Sequence, residues 1–275
     1  MQRDTLLISL VSLLDDPDRS VRLIAWDKLA LMGEEVVGEI ENLIPELSKK
    51  MDSNDLNSLL KELKVEFIMK KIESYTSNPD PLLLDGLLLV TSSFEPDLDK
   101  IKYLTIVQDI ADEMLLEIND NRTAMENMEI FNHIFFRRVG FKSVDDEITI
   151  KDNAVITTVL DTKRCNLISL SMCYFTLARY TGLPIYPVIE GQSFSPAYLD
   201  HNNNPLFYVN IFKNGIIFSK DLGEPKSRSR VGKDKILVSM YADQIYYLFK
   251  KIGDSETCNV MKRVRDCFGG AWYLN

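Results

Sequence analysis

Histidines and cysteines are scarce in this chain, and their surroundings restrict what they could do. There are two histidines, His133 and His201, and four cysteines, Cys165, Cys173, Cys258 and Cys267. The cysteines lack the close pairing of a zinc site or a redox motif, and they read as reduced thiols of a cytosolic protein. Cys173 lies on an apolar stretch with Met172 and Phe175 and reads as core. His133 lies in a predicted helix among Phe131, Ile134 and Phe135 and reads as a buried or half-buried packing residue. His201 opens a polar turn, His201-Asn202-Asn203-Asn204-Pro205, and reads as exposed. A metal site would need Asp or Glu partners at ligand spacing, and none is evident, so no metal and no cofactor is expected. Lys226, Arg228, Arg230, Lys233 and Lys235 cluster around Gly232 and could dock an acidic partner or RNA. No aromatics interleave with them, as a stacking platform requires, so the cluster reads as a solvated loop.

The elements that must position these residues come from a chain of 275 residues, enough for one large domain or two ordinary ones. Hydrophobic residues make up 45% and aromatics 9%, which is ample for a packed core and excludes general disorder. The formal charge of −9 argues against non-specific binding to nucleic acid or an anionic membrane. Met1 to Leu14 is followed by Asp15, Asp16 and Asp18 and does not read as a signal peptide. The longest apolar run, Pro81 to Val90, is broken by Asp85 and too short to span a bilayer. The expected location is the cytoplasm.

Residues 4–76 read as consecutive amphipathic helices. Leu6, Leu7, Leu10, Leu13 and Leu14 recur at helical spacing, and Asp15-Asp16-Pro17-Asp18 stops that helix. Asp18 or Ser20 can cap the next, whose stripe is Val21, Ile24, Ala25, Leu29 and Met32, ended by Gly33. A third helix carries Val36, Val37, Ile40, Leu43, Ile44 and Leu47, and a fourth runs from about Leu56 to Tyr75. Asn78-Pro79-Asp80-Pro81 marks a boundary between segments 1–78 and 79–275. We expect the front segment to dock on the rest through positions such as Leu63, Phe67 and Leu88, leaving Asp27, Lys28, Glu34 and Glu35 for a protein partner. Helices follow at about 82–91, 97–118, 123–139 and 166–181. The period then changes: Ile185 to Ile189 and Leu206 to Ile211 are rich in β-branched and aromatic residues, and Asn214-Gly215 is a hairpin signal. Two helices close the chain, near 234–251 and 255–268. The fold class is α+β, mostly helical with a small antiparallel sheet.

One phrase carries more than periodicity. Leu160, Lys163, Arg164, Asn166, Ile168, Ser169, Leu170 and Ser171, with Gly182-Leu183-Pro184 after the helix, resemble the heart of the transglutaminase-like core family in its bacterial SirB-type branch. Ser92-Ser93-Phe94 with Pro96 to Asp99, and Asn132 to Phe136 with Gly140-Phe141, resemble the family's upstream motifs. Phe207 to Phe212 with Asn214-Gly215 resembles its downstream strand. The front segment resembles a HEAT-type helical repeat: helix, Asp-Pro turn, Val-Arg start, second helix.

The resemblance implies a papain-like helix-plus-sheet core and a Cys–His–Asp/Asn triad, with the thiol at a helix N-terminus. Carried over residue by residue, the nucleophile falls on Leu167, the base on Ser193 and the orienting group on Asn210. Leu167 cannot attack a carbonyl, and Ser193 is no base near neutral pH. The helix from Leu167 is expected to pack on the strands of Val188 and Tyr208, with Ser193 and Asn210 near its N-terminal end. The expected function is a non-catalytic interaction, scaffold or regulatory module with an unidentified protein partner. Cys165, Asn166, Ser169 and Gln192 are the expected lining of the degenerate groove. The alternative is a divergent hydrolase or acyltransferase using Cys165, two residues before the expected nucleophile.

Overall fold

The computed structural model describes residues 2–49, 51–144, 150–219 and 230–272. The chain forms two compact units, Met1–Ser74 and Tyr75–Asn275. Among the described residues no helix is long and apolar enough to cross a membrane.

The first unit contains α1 (Gln2–Ser12), α2 (Arg19–Leu31), α3 (Glu35–Asn42), α4 (Ile44–Leu47) and most of α5 (Ser53–Ser77). Leu7, Leu10, Leu29, Ile40, Leu56 and Leu63 meet in one core. Asp18 caps α2 by accepting from the Ser20 amide at 2.8 Å. The stripe expected on α2 is only partly inward: Ala25 and Leu29 are buried, whereas Ile24 is exposed. The single third helix expected from the sequence is two. Pro45 lacks an N–H and fits only the first turn of a helix, so the chain breaks at Leu43 and restarts. The units divide at 74/75, inside α5 and just ahead of the turn at Asn78 to Pro81. A helix that runs past the edge of its unit leaves no turn signal there.

The second unit opens with α6 (Leu83–Ser92), α7 (Lys100–Leu115) and α8 (Ala124–His133). Thr123 and Glu126 form a capping box on α8. The helix then widens into a π turn, Ile134–Arg138, in which the Val139 amide reaches back five residues to the Ile134 carbonyl at 2.9 Å. A two-residue strand β1 (Lys142–Ser143) pairs in parallel with β2 (Arg164–Cys165), with α9 (Lys151–Ala154) and α10 (Ile156–Thr162) between them. The central helix α11 (Leu167–Tyr180) is buried at every position from Ser169 to Ala178, because its sequence is apolar or small nearly all round.

A sheet of order β6-β5-β4-β3-β7 follows, all neighbours antiparallel. Its strands are β3 (Ile185–Glu190), β4 (Ser193–Leu199), β5 (Pro205–Asn210), β6 (Ile216–Phe218) and β7 (Arg230–Val231). Phe194, paired with Ile189, packs on Phe175 of α11 with ring centroids 6.1 Å apart. Val188, Ala197, Leu199 and Tyr208 cluster together. Val188 and Tyr208 alternate with Ile189 and Val209, so strand pleating sends them to the face away from α11. Helices α12 (Asp234–Ile252) and α13 (Ser255–Cys267) complete the unit, α12 packing on α6 and α11.

Candidate functional site

The head of α11 is the natural place to look for chemistry, since a helix N-terminus favours an anion. Asn166 caps it: its side-chain oxygen accepts from the Ser169 amide at 2.9 Å, and its own amide donates to the Asn153 carbonyl at 2.7 Å. Ser169 donates from Oγ to the Ala154 carbonyl at 2.6 Å. Gln244, on α12, donates from Nε2 to Ser169 Oγ at 3.0 Å and to the same carbonyl at 3.2 Å. Buried polar groups thus pin α9 and α12 to the start of α11. Leu167, next in line, is left 51% exposed.

Cys165 points elsewhere. It is completely buried in β2, and its Sγ lies 3.8 Å from the Lys163 carbonyl. A hydrogen bond with Cys173, then burial, pushes its thiol well above the ordinary range, so the thiolate is suppressed. Lys163, which ends α10 in a left-handed conformation, is the cation beside it, and burial lowers its pKa. The expectation that Cys165, Asn166 and Ser169 line a groove is corrected: all three are buried, as anchors of the helix head. Polar residues in a turn before a helix read alike whether they face a substrate or cap the helix. Gln192 is exposed in the tight turn between β3 and β4.

Ser193 and Asn210 are also engaged locally. Ser193 is exposed and donates from Oγ to the Glu190 carbonyl at 3.0 Å. Its neighbour Phe194 faces α11, so pleating turns Ser193 the other way. Asn210 accepts from the Lys213 amide at 3.1 Å, closing a short 3-10 turn. Among the described residues no hydrogen bond joins Ser193 or Asn210 to each other or to the head of α11. The helix expected to pack on the strands of Val188 and Tyr208 packs on β3, the strand that holds Val188. His133 is exposed, not a packing residue, because it falls on the solvent side of α8. Of the basic cluster, Lys226 and Arg228 lie outside the described residues.

A family model described as the transglutaminase-like superfamily matches residues 101–244, a span that holds α11 with its cap, the five-stranded sheet and Gln244. The chain belongs to the transglutaminase-like superfamily. Among curated relatives it is similar to a protein described as "UPF0162 protein" in two strains of Xylella fastidiosa, Temecula1 and 9a5c. Each is 28% identical over 119 residues, covering 43% of this chain and 41% of the relative. The match thus spans about two fifths of those relatives' length. No solved structure matches the chain.

Proposed function

We propose that this protein is a non-catalytic transglutaminase-like protein of the SirB-type branch, working as an interaction or scaffold module in a bacterial cytoplasm, with a HEAT-like helical front end. The observation that carries this reading is the exposed Leu167 at the head of α11, where the family's thiol is carried over. A leucine there forms no acyl intermediate. Ser193 is no substitute base, and its hydroxyl is spent on the Glu190 carbonyl. A hydrolase using Cys165 is disfavoured by complete burial and by the suppressed thiolate.

The purified protein is expected to show no transglutaminase, deamidase or peptidase activity. Under limiting iodoacetamide, Cys165 should label more slowly than the partly exposed Cys258 and Cys267, as followed by peptide mass spectrometry. Preferential labelling of Cys165 with parallel loss of an activity would reverse the assignment.

A further inference from the structure

Along α8 from its cap, a cavity of about 480 Å³ opens between that helix and the turn into β6. Its walls include Met125, Glu129, His133, Phe136, Arg137 and Ile216. The two walls are held together by Asn132, whose Nδ2 donates to the Gly215 carbonyl at 2.9 Å and whose Oδ1 accepts from the Tyr174 hydroxyl at 2.6 Å. Gly215 has a φ of +79°, and a Cβ there would lie 2.4 Å from the Asn132 side chain, so only glycine allows this approach. The cavity is therefore built by a specific tie between helix and strand.

Three features of the groove point to one kind of occupant. First, β6 is an edge of the sheet, and no described strand pairs with its outer side. Such an edge offers backbone donors and acceptors to an extended chain. Second, apolar side chains reach the opening: Ile216 is 57% exposed and Met125 43% exposed, above the deeper Phe136. Third, the charges along the helix are unspent and ordered. Arg138 is paired with Glu113 and Glu117. Arg137, His133 and Glu129 make no described hydrogen bond or ion pair. Glu129 and Arg137 are eight positions apart, about 12 Å along the helix axis. An extended peptide covers that distance in about three to four residues.

We propose that this groove binds the C-terminal end of an extended peptide. The terminal carboxylate lies on Arg137 and His133, and the last side chain, apolar, enters between Met125, Phe136 and Ile216. A basic side chain about three residues upstream meets Glu129. A chain end is favoured over an internal acidic residue for two reasons. The edge of β6 is only three residues long and supports a short strand. Phe136 and Arg137 both line the cavity, so the anion site and the apolar site share one groove. A carboxylate and a side chain that leave one Cα match that pairing. The inference rests on the interaction role proposed above and names its partner class. It uses residues remote in sequence from the head of α11, and its readout is binding, not thiol chemistry.

The test is fluorescence anisotropy with the full chain and a fluorescein-labelled peptide ending Lys-Ala-Ala-Leu with a free carboxylate. Saturable binding is expected. Amidating that C-terminus, or the variant Arg137→Gln, should each weaken it about tenfold or more, the loss of one charge-assisted hydrogen bond. Glu129→Gln should weaken the lysine peptide and leave its alanine analogue unchanged. Both replaced side chains are exposed, so the variants should retain the parent circular dichroism. Absence of binding, equal binding of acid and amide, or indifference to Arg137→Gln overturns the proposal. So does an amidated peptide with an internal aspartate that binds as well as the free acid. Loss of the proposal in this way leaves the thiol assays unaffected.

Discussion

Leu167 presents an apolar side chain to solvent at a helix start whose geometry suits a thiolate. The first-turn amides of α11 are only partly used, Asn166 taking that of Ser169. The partial positive charge of a helix N-terminus lowers a thiol pKa. The variant Leu167→Cys should therefore contain a thiol that alkylates about tenfold or more faster than Cys258 or Cys267 at neutral pH, since one pKa unit changes the thiolate fraction about tenfold. Timed iodoacetamide labelling with mass spectrometry measures this. Equal rates would mean that the head of α11 exerts no effective field on a thiol. The same variant should remain inactive, because no imidazole hydrogen-bonds near that position: Ser193 stands where the base is carried over and is turned away.

At the scale of elements, caps and turns do much of the positioning, and three of them depend on carboxylates. The Ser20 amide lowers the pKa of Asp18, the Thr123 amide that of Glu126, and the Asn204 amide that of Asp200. A carboxyl whose folded pKa lies below its unfolded value contributes stability above the unfolded value and loses it as pH falls through the folded one. Unfolded Asp and Glu titrate near about 4, so thermal stability should be flat from pH 7 to about 5 and decline below about 4. Melting curves across that range check the direction, and Glu126→Gln with Asp18→Asn should flatten the acid limb. Most of these elements are legible in the sequence because each carries its own start and stop signals: Asp18 after an Asp-Pro turn, Asn166 before an apolar run, Asn214-Gly215 in a hairpin. Strand β4 is not. Its residues, Ser193 to Leu199, include Ser195 and Pro196 and lack a β-branched run, so it is a strand only because β3 and β5 pair with it on both sides. The helices α9 and α10 leave no signal for a related reason: they span four and seven residues, too short for a period to show.

At the scale of the whole second unit, one hydroxyl joins helices far apart in sequence. Thr91 donates to the Leu87 carbonyl, so the Tyr241 hydroxyl, 2.9 Å from Thr91 Oγ1, is the donor in that pair. The same oxygen accepts from the Ile156 amide at 3.0 Å. Tyr241 thus ties α6, the start of α10 and α12, and burial pushes its pKa up, keeping it protonated as this role requires. Tyr241→Phe should destabilise the protein by about 1–3 kcal/mol, the cost of a buried amide left without a partner. Urea denaturation followed by fluorescence measures it, and an unchanged midpoint would mean that Ile156 finds another acceptor.

Local chemistry by itself determined most of the longer helices, where a small sheet follows, the family resemblance and the absence of a thiol at position 167. These follow from periodicity, turn residues and residue type, which act over a few positions. What only the tertiary structure decided is where each polar side chain points. Cys165, Asn166 and Ser169 could have lined a groove as easily as they anchor a helix, and the choice was made by α9 and α12, which bring Asn153, Ala154 and Gln244 against them. Likewise Asn132 and Gly215, 83 positions apart, become one tie only when α8 meets β6. Burial and hydrogen-bond partners depend on distant chain segments, and no local pattern encodes them.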